Sequence, residues 1–557
     1  MKRITWLVAL AFVCQTCTPT KPDASEVRKK VGQMFLLAFS GQDAETVLPF
    51  IKERGIGGLY LSNENLGSPT EAAKLLNTLQ EASINGLAGL PLLTAGDQEG
   101  AWGVMVPYST TGPGNMALGA APVEHTEKMY TVFSEEIASV GMFCDLSPVA
   151  DVNSNPNNPI IGTRSFGEDA EKVAERVRAA VRGLHANNVI ATAKHFPGHG
   201  NTDSDSHSGL PLVSRTLEEI ESIDLLPFKA AVEEGVDMVM TAHIIFEALD
   251  PENPSTLSKK ILTGYLREKL GFKGVIITDS FNMWAIQKNY DPGEAAIQAI
   301  LAGADMIMLA EERYGEDVGD YKKSQTALID RIERAVMEGE IPMERIDESY
   351  NRIKSLKEKF NLANRVPVDV DAAGSTIGSV GNKDVAVKAA EAALIETDPT
   401  NLLPLKTGSS VAIIRLAKEN VEEIIRIAEG IGPNYANAYQ DFVSQMNAAG
   451  FMVNEFASGD EIPKSDLVLA VSENYPLPGK SLDLIWQREM LKAVQEMAKV
   501  PVVNIALKDP YDMNLISADA YVCAIGSNIS NIQAVVNLLA GTVEARGELP
   551  VTPIKYQ

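Results

Sequence analysis

The sequence predicts an α/β protein in which a TIM-like (β/α)8 barrel is followed by a smaller α/β sandwich domain. Three observations support this fold class. The chain has 557 residues, too many for one small domain, with ordinary hydrophobic (45%) and charged (22%) fractions. Eight short apolar runs without strict alternation, typical of strands buried on both faces, occur before residue 310. From about residue 384 onward, apolar runs and helical stretches alternate in a different pattern.

Residues 1–24 are predicted to be a signal peptide or lipoprotein leader with a tether. A basic start precedes an apolar run of about ten residues, and Cys14 and Cys17 follow directly. Such a run is too short to cross a bilayer but suits a signal peptide. The order is similar to a bacterial lipoprotein signal, so we expect export to the cell envelope, periplasmic or anchored through one lipidated cysteine. The alternatives are a plain secretory signal or a short anchoring helix.

Residues 25–360 are predicted to form the barrel, because helical patterns such as 170–186 and 217–234 separate many of the apolar runs. A further helical pattern near 321–360 ends this part of the chain. The strands of the barrel are predicted at residues 31–39, 57–61, 90–95, 143–149, 189–193, 237–242, 274–278 and 304–309.

Residues 361–383 are interpreted as a linker, since they are rich in small and polar side chains. Residues 384–557 are predicted to form the smaller sandwich domain, an open sheet with helices on both faces. Its strands are predicted at residues 411–416, 451–456, 467–471, 500–506 and 520–525, and two of its helices at 487–499 and 531–539.

The charge balance argues against a nucleic-acid partner. The net charge is −25, whereas phosphate binding needs clustered lysine and arginine, and the sequence contains no such cluster. An acidic surface does not favour an anionic membrane either, so we expect membrane attachment only through a lipid anchor. Beyond the leader, Cys144 and Cys523 lie in apolar segments of different domains, and no disulfide framework is expected. Nothing in the sequence indicates an oligomeric state.

Polar residues follow five of the predicted barrel strands. Because active sites of such barrels lie at the carboxyl ends of the strands, these residues are expected to meet on one face. Three of the six histidines also fall within thirteen consecutive positions, 195–207, which indicates a functional loop. The polar groups are Asp97, Gln98 and Glu99, then Asp151 and Asn153, then Lys194, His195 and His199, then His243, and finally Asp279.

The loop that begins at Lys194 is predicted to carry an acid/base pair. Gly198 and Gly200 permit backbone angles that are closed to other residues, so the strand can break into a loop. Asp205 and His207 are two positions apart and would point the same way in an extended segment. A carboxylate beside an imidazole fixes its tautomer, and histidine exchanges protons near neutral pH.

Asp279 ends the seventh apolar run, where its carboxylate would face the barrel mouth from a rigid strand. Such a group could attack an anomeric carbon and form a covalent intermediate. Retaining glycosidases hold two carboxyl groups about 5 Å apart. Here His207 would take the place of the second group. The alternative is that Asp279 caps the next helix.

These residues resemble glycoside hydrolase family 3 and, within it, the bacterial β-N-acetylglucosaminidases. Residues 194–207 match the pattern Lys-His-[Phe/Ile]-Pro-Gly-His-Gly, four spacers and Asp-[Ser/Thr]-His at every defined position. Asp279, within Ile-Thr-Asp-Ser-Phe-Asn-Met, falls where the family keeps its nucleophile. The resemblance covers nearly the whole mature chain, since 403–405, 509–512 and 547–551 also match.

The resemblance implies a retaining exo-β-N-acetylglucosaminidase that uses an Asp-His dyad and needs no cofactor. It implies that Asp97, Arg164, Lys194 and His195 bind the terminal sugar, and that the natural substrates derive from peptidoglycan. One departure concerns residues 101–105, where the family usually has Gly-Arg-Val and a further arginine, and both arginines are missing here. Sugar preference and leaving-group contacts depend on this stretch. Some relatives take an acid/base carboxylate from the second domain, which the histidine loop makes unnecessary.

Four alternatives accompany this interpretation. A histidine acid/base does not repel phosphate, so a β-glycoside phosphorylase is the nearest one, and a β-glucosidase or xylosidase of the same family is the second. His195, His199 and His207 could instead bind a metal, but Lys194 beside them would repel a cation. A catalytically inactive sugar-binding lipoprotein is disfavoured by the intact nucleophile and acid/base dyad.

Overall fold

The computed structural model describes most of the chain from residue 22 onward. Two predicted catalytic residues, Asp205 and His207 of the acid/base dyad, lie outside the described residues. The altered segment 101–105 and most of the predicted leader also lie outside. The described ranges are 22–100, 106–158, 160–202, 209–310, 321–416, 438–473, 485–508, 510–511 and 518–552.

Eight parallel strands close into a barrel, which confirms the predicted (β/α)8 fold. Neighbouring strands around the barrel are β1, β2, β3, β4, β5, β7, β9 and β10, and each overlaps one of the predicted apolar runs. The short strands β6 and β8 form a separate parallel pair. In chain order, strands β1 to β16 are Phe35–Leu37, Gly58–Tyr60, Leu93–Gly96, Cys144–Asp145, Ile190–Phe196, Leu212–Val213, Met238–Thr241, Ile245–Phe246, Val275–Ser280, Met306–Leu309, Ile395–Thr397, Ser410–Leu416, Met452–Glu455, Leu467–Ser472, Val502–Ala506 and Ala520–Cys523.

Helices surround the barrel and cover both sides of the second sheet. Several begin at side-chain caps, as Asp169 and Asp291 accept hydrogen bonds from the first backbone amides of their helices. Within the described residues no helix combines the length and the apolarity that a bilayer span requires. The longer helices are Ala24–Gln33, Pro69–Ile84, Val123–Ser139, Ala170–His185, Leu226–Glu234, Pro292–Ala302, Tyr321–Glu338, Met343–Lys359, Val380–Ala393, Ala438–Ala448, Ile485–Met497 and Ile529–Leu539. The shorter ones are Asn115–Ala120, Leu217–Glu219, Trp284–Gln287 and Val370–Thr376, with π-helical segments at Phe50–Arg54, Ile220–Asp224 and Lys260–Lys269.

The amino-terminal end of the barrel is held by ion pairs. Asp305, fully buried just before β10, contacts Arg267, Arg345 and Arg352. Ser349 donates a further hydrogen bond to the same carboxylate at 2.9 Å. These contacts tie the last strands to the closing helices, and they leave the opposite, carboxyl end of the barrel for the polar residues of the site.

The second domain is a six-stranded sheet in the order β11-β16-β15-β14-β12-β13. All five predicted strands are present and parallel, but the sheet has an additional strand, β11, which is antiparallel to β16. The sequence did not indicate β11 because two of its three residues, Glu396 and Thr397, are exposed. The segment 361–383 contains the helix Val370–Thr376, and just before it Asn77 exchanges two hydrogen bonds with the backbone of Val368.

The carboxyl ends of β15 and β16 meet loops at the mouth of the barrel. Asn528, which follows β16, donates a hydrogen bond to the Gly112 carbonyl at 2.8 Å. The Glu168 amide donates to the Pro550 carbonyl at 3.0 Å. A shared apolar cluster also spans the two domains, comprising Met116, Ala117, Ala120, Ala121, Ala393, Ile395, Ala506, Tyr511, Tyr521, Cys523, Ile525 and Val551. The second domain is therefore packed against the face of the barrel that bears the predicted site.

Candidate active site

Three of the predicted sugar-binding residues, Asp97, Lys194 and Arg164, form one charged network together with Glu99. Lys194 contacts Asp97 at 2.5 Å and Glu99 at 2.7 Å. Arg164 makes a bidentate pair with Glu99, in which Nε and Nη2 each lie 2.9 Å from a carboxylate oxygen. From the end of β2, Tyr60 donates its hydroxyl proton to Asp97 at 2.7 Å. Asp97, Lys194 and Arg164 therefore meet at the carboxyl ends of the strands, as the sequence predicts.

The network balances two cations with two anions. Burial raises the pKa of Glu99, but Arg164 and Lys194 lower it more, and the resulting pKa is about 2. Burial likewise lowers the pKa of Lys194, but Asp97 and Glu99 more than offset this effect, so its pKa is raised. Glu99 and Lys194 are therefore both charged near neutral pH. Asp97 is the most accessible of the carboxylates, with 21% of its side chain exposed, whereas the Glu99 side chain is fully buried.

A second cluster forms around Asp151, which is fully buried after β4. Its carboxylate accepts hydrogen bonds from the His195 ring at Nδ1 (2.7 Å) and from the backbone amides of His195 (3.2 Å) and His199 (2.6 Å). Because a carboxylate only accepts, His195 carries its proton on Nδ1, which leaves Nε2 for other partners. Asp151 therefore orients His195, which the sequence predicts as a sugar ligand.

The segment after His195 is anchored by the loop that follows β4. Asn158 donates to the His199 carbonyl at 2.9 Å, and Asn155 donates to the Thr202 carbonyl at 3.2 Å. Gly198 has φ +142°, which agrees with the predicted role of its backbone freedom. The same reason is wrong for Gly200, whose backbone is ordinary: a Cβ there would lie 1.8 Å from the Val152 carbonyl oxygen, so glycine is required for space.

Asp279 lies near the end of β9 with a partly exposed side chain. Its Oδ1 accepts a hydrogen bond from the backbone amide of Ser280 at 2.7 Å. Strands β5 and β9 both flank β7, so Lys194 and Asp279 lie on the same rim with one strand between them. The same rim therefore carries the strand-borne carboxylate of Asp279 and the buried charged network.

His243, the polar residue after β7, supports this rim from inside. Its Nε2 lies 3.0 Å from the Ser280 carbonyl, and its Nδ1 lies 2.9 Å from the Thr256 hydroxyl. A carbonyl can only accept, so Nε2 carries a proton and donates it to Ser280, while Nδ1 lies against the Thr256 hydroxyl, which donates to the Ala242 carbonyl. The imidazole is fully buried. His243 thus holds the residue next to Asp279 and is a structural partner of the site.

Sequence reasoning overlooked several partners that the fold brings to the site. Glu99 was visible in the stretch that begins at Asp97, but nothing in that stretch shows that it pairs with Arg164 and Lys194. Tyr60 gave no signal because it lies inside the predicted strand 57–61, and Tyr511 belonged to the matching stretch 509–512 without an assigned role. Among the described residues, no group of three or more histidine, cysteine, aspartate or glutamate side chains is arranged to hold a metal ion.

Comparisons with known proteins give matches in sequence and in fold. The model of the glycosyl hydrolase family 3 N-terminal domain matches residues 26–356. Beta-hexosaminidase A of Pseudoalteromonas piscicida is 29% identical, over 91% of this chain and 92% of its own length. A beta-N-acetylglucosaminidase/beta-glucosidase of Cellulomonas fimi is 27% identical, over 94% and 93%. The structure of a glycoside hydrolase family 3 beta-N-acetylglucosaminidase from Paenibacillus sp. str. FPU-7 has a TM-score of 0.80 and 31% identity, and it covers 94% of this chain and 98% of that one.

Proposed function

The chain belongs to glycoside hydrolase family 3, and we propose that it is a retaining exo-β-N-acetylglucosaminidase that forms a covalent intermediate on Asp279. One observation carries this proposal: a charge-balanced network of Asp97, Lys194, Glu99 and Arg164 lies on the same rim as a strand-borne carboxylate. A sugar needs both hydrogen-bond donors and acceptors for its hydroxyls, and this network supplies them beside a nucleophile.

The network binds the terminal sugar through its exposed edge. Asp97 accepts hydrogen bonds from sugar hydroxyls, while Lys194 and the guanidinium of Arg164 donate charge-assisted ones. His195, oriented by Asp151, contributes its free face at Nε2. Because the supporting contacts are buried and rigid, the sugar is held with its anomeric carbon over the nucleophile.

The reaction then follows two displacements. A carboxylate oxygen of Asp279 bonds to the anomeric carbon as the glycosidic C–O bond breaks, and His207 protonates the departing oxygen. Asp205 steadies the imidazole in the required tautomer. A water molecule next gives a proton to His207 and bonds to the anomeric carbon, which releases the sugar and restores the Asp279 carboxylate.

The natural substrate in this proposal is a peptidoglycan fragment with a terminal β-linked N-acetylglucosamine. Export to the cell envelope, through the leader at residues 1–24, would bring the enzyme to that material. Metabolic palmitate labelling of the full chain tests the anchor. Label that is lost in Cys17→Ala or Cys14→Ala identifies the modified residue, and a cleaved but unlabelled protein indicates a plain secretory signal.

The proposal is tested by trapping the intermediate. A fluorinated slow substrate of the N-acetylglucosaminyl series is expected to label a peptide containing Asp279, as detected by mass spectrometry. Asp279→Asn should abolish labelling and lower kcat at least a thousandfold. Asp169→Asn is the matched control, because this helix cap accepts the same substitution on the outside of the barrel. Full activity of Asp279→Asn, or label on another residue, would refute the mechanism.

Two other activities are outcomes of the same assays. The Cellulomonas fimi relative is named for both N-acetylglucosaminidase and glucosidase activity, so aryl β-N-acetylglucosaminides and aryl β-glucosides are compared side by side. Hydrolysis that favours the plain glucoside would replace the proposed sugar preference. Product analysis with and without inorganic phosphate distinguishes a hydrolase from a phosphorylase. A sugar 1-phosphate forms only if phosphate is the second nucleophile.

A further inference from the structure

A buried hydrogen bond joins the second domain to the rim of the barrel. Asn153, which follows β4, donates from Nδ2 to the hydroxyl oxygen of Tyr511 at 2.8 Å. Tyr511 belongs to the segment that follows β15 in the second domain. Both side chains are shielded from solvent, with exposures of 1% and 3%. A hydrogen bond between domains at this depth is protected from competition with water.

The Tyr511 ring is fixed by packing that both domains share. It lies in the apolar cluster that contains Met116 and Ala117 of the barrel and Ala506 and Ile525 of the second domain. The position of the Tyr511 hydroxyl therefore depends on how the two domains pack together. On the other side of the bond, Asn153 Oδ1 is buried and has no hydrogen-bond partner among the described residues. The contact with Tyr511 is thus what orients this amide.

Asn153 belongs to the segment that organises the second cluster of the site. Its backbone amide donates to the Gly167 carbonyl at 2.9 Å. Two residues earlier, Asp151 holds the His195 ring at 2.7 Å. Between them, the Val152 carbonyl packs so closely on Gly200 that no side chain fits there. A shift of Asn153 would therefore be transmitted to Asp151 and to the backbone after His195, because close packing leaves no room to absorb it.

We propose that Tyr511 is a positioning residue through which the second domain sets the geometry of Asp151 and His195. The inference rests on the proposed function, because it assigns His195 to sugar binding. In this proposal the Tyr511 hydroxyl acts through Asn153 and not through the substrate. The Tyr511 hydroxyl fixes the Asn153 side chain, and Asn153 fixes the segment 151–155. Asp151 in that segment orients His195.

Tyr511→Phe tests the proposal, because it keeps the ring in the apolar cluster and removes only the hydroxyl. Loss of one well-placed supporting contact is expected to lower kcat/KM for an aryl β-N-acetylglucosaminide about tenfold, mainly through kcat. Asn153→Ala should lower it by at least as much. The double variant should be no worse than Asn153→Ala alone, since both changes break the same link.

Tyr439→Phe is the matched control. Tyr439 is a buried tyrosine of the second domain, packed in that domain's own core, and its hydroxyl interacts with Glu455. Both tyrosine variants are expected to lower the melting temperature slightly, but only Tyr511→Phe should change kcat. A purely structural role of the hydroxyl predicts equal melting shifts and wild-type kcat and KM for both variants, and this result would overturn the proposal.

A readout that needs no turnover separates this proposal from the proposed function. The proton shared by His195 Nδ1 and Asp151 should give a downfield NMR signal, assigned by its loss in His195→Gln. Tyr511→Phe is expected to shift or broaden it, and Tyr439→Phe to leave it unchanged. If the wild type cleaves the plain glucoside instead, the substrate assignment fails and kinetics are compared on that glycoside. An unchanged signal together with unchanged kinetics refutes the positioning role.

Discussion

Replacement of Glu99 by glutamine removes the anion that two buried cations share. Arg164 and Lys194 both contact this carboxylate, whose pKa is about 2 in the folded protein against 4.5 for an exposed group. That difference corresponds to about 3 kcal/mol of stability near neutral pH. Loss of one partner from a buried ion pair costs a similar amount, about 3–5 kcal/mol. We therefore expect Glu99→Gln to lower the melting temperature by about 6 °C, at about 2 °C per kcal/mol for a unit of this size.

The stabilisation that Glu99 contributes depends on pH. Because the folded pKa of Glu99 is lowered, its stabilisation is fully present above pH 4.5 and is lost as the pH falls towards 2. Melting temperatures of the wild type and Glu99→Gln, measured by scanning fluorimetry between pH 2.5 and 7, should therefore differ most near neutral pH and converge in acid. The variant should also lose about a hundredfold in kcat/KM, since Lys194 and Arg164 lose their anchor.

Glu340→Gln is the control, since it makes the same change in an exposed carboxylate paired with Arg331. Solvent screens that pair, so little change in melting temperature is expected. Equal melting temperatures of Glu99→Gln and the wild type at pH 7 would refute the predicted role of Glu99. It is equally refuted if the difference between them stays constant down to pH 2.5.

Substitutions at three further residues probe other contacts. Tyr60→Phe removes the hydroxyl that holds Asp97 and should raise KM about fivefold, for about 1 kcal/mol; unchanged steady-state kinetics contradict this role. His243→Ala leaves the Ser280 carbonyl buried without its donor and should lower the unfolding free energy in urea by about 1–3 kcal/mol, whereas His243→Gln, which can still donate, should recover part of the loss. Burial lowers the pKa of Lys357 to about 7, so between pH 7 and 10.5 the unfolded chain binds more protons than the folded one. The stability of the wild type relative to Lys357→Met should therefore rise with pH across that window, and a constant difference would contradict the assignment.

The strands could be predicted because burial on both faces leaves its mark in local composition. β5 and β9 coincide with runs that contain only apolar and small residues until their carboxyl ends. β11 escaped prediction because it is held mainly by pairing with β16, and two of its three residues face solvent. Hydrogen bonding to a neighbouring strand can thus stabilise a strand whose amino-acid composition does not predict it.

The site could be predicted one residue at a time but not as a network. Asp97, Lys194 and Arg164 were recognised from their motifs, yet Glu99, which pairs with both Lys194 and Arg164, lies 65 positions from Arg164. His243 has the same kind of position after a strand as Lys194, but its two ring nitrogens are used to hold Thr256 and Ser280. Only the directions of side chains distinguish a group that faces substrate from one that supports the wall.

The amino-acid sequence alone determined the barrel, the second domain and the family, because hydropathy and short motifs are local properties of the chain. It also identified the strand-end residues that carry charge. The tertiary structure decided which charges pair, which histidines are structural, and how the second domain reaches the rim. Asn153 and Tyr511 are 358 positions apart, and a hydrogen bond acts only over about 3 Å. Contacts of that range depend on how distant segments pack, and no local pattern encodes them.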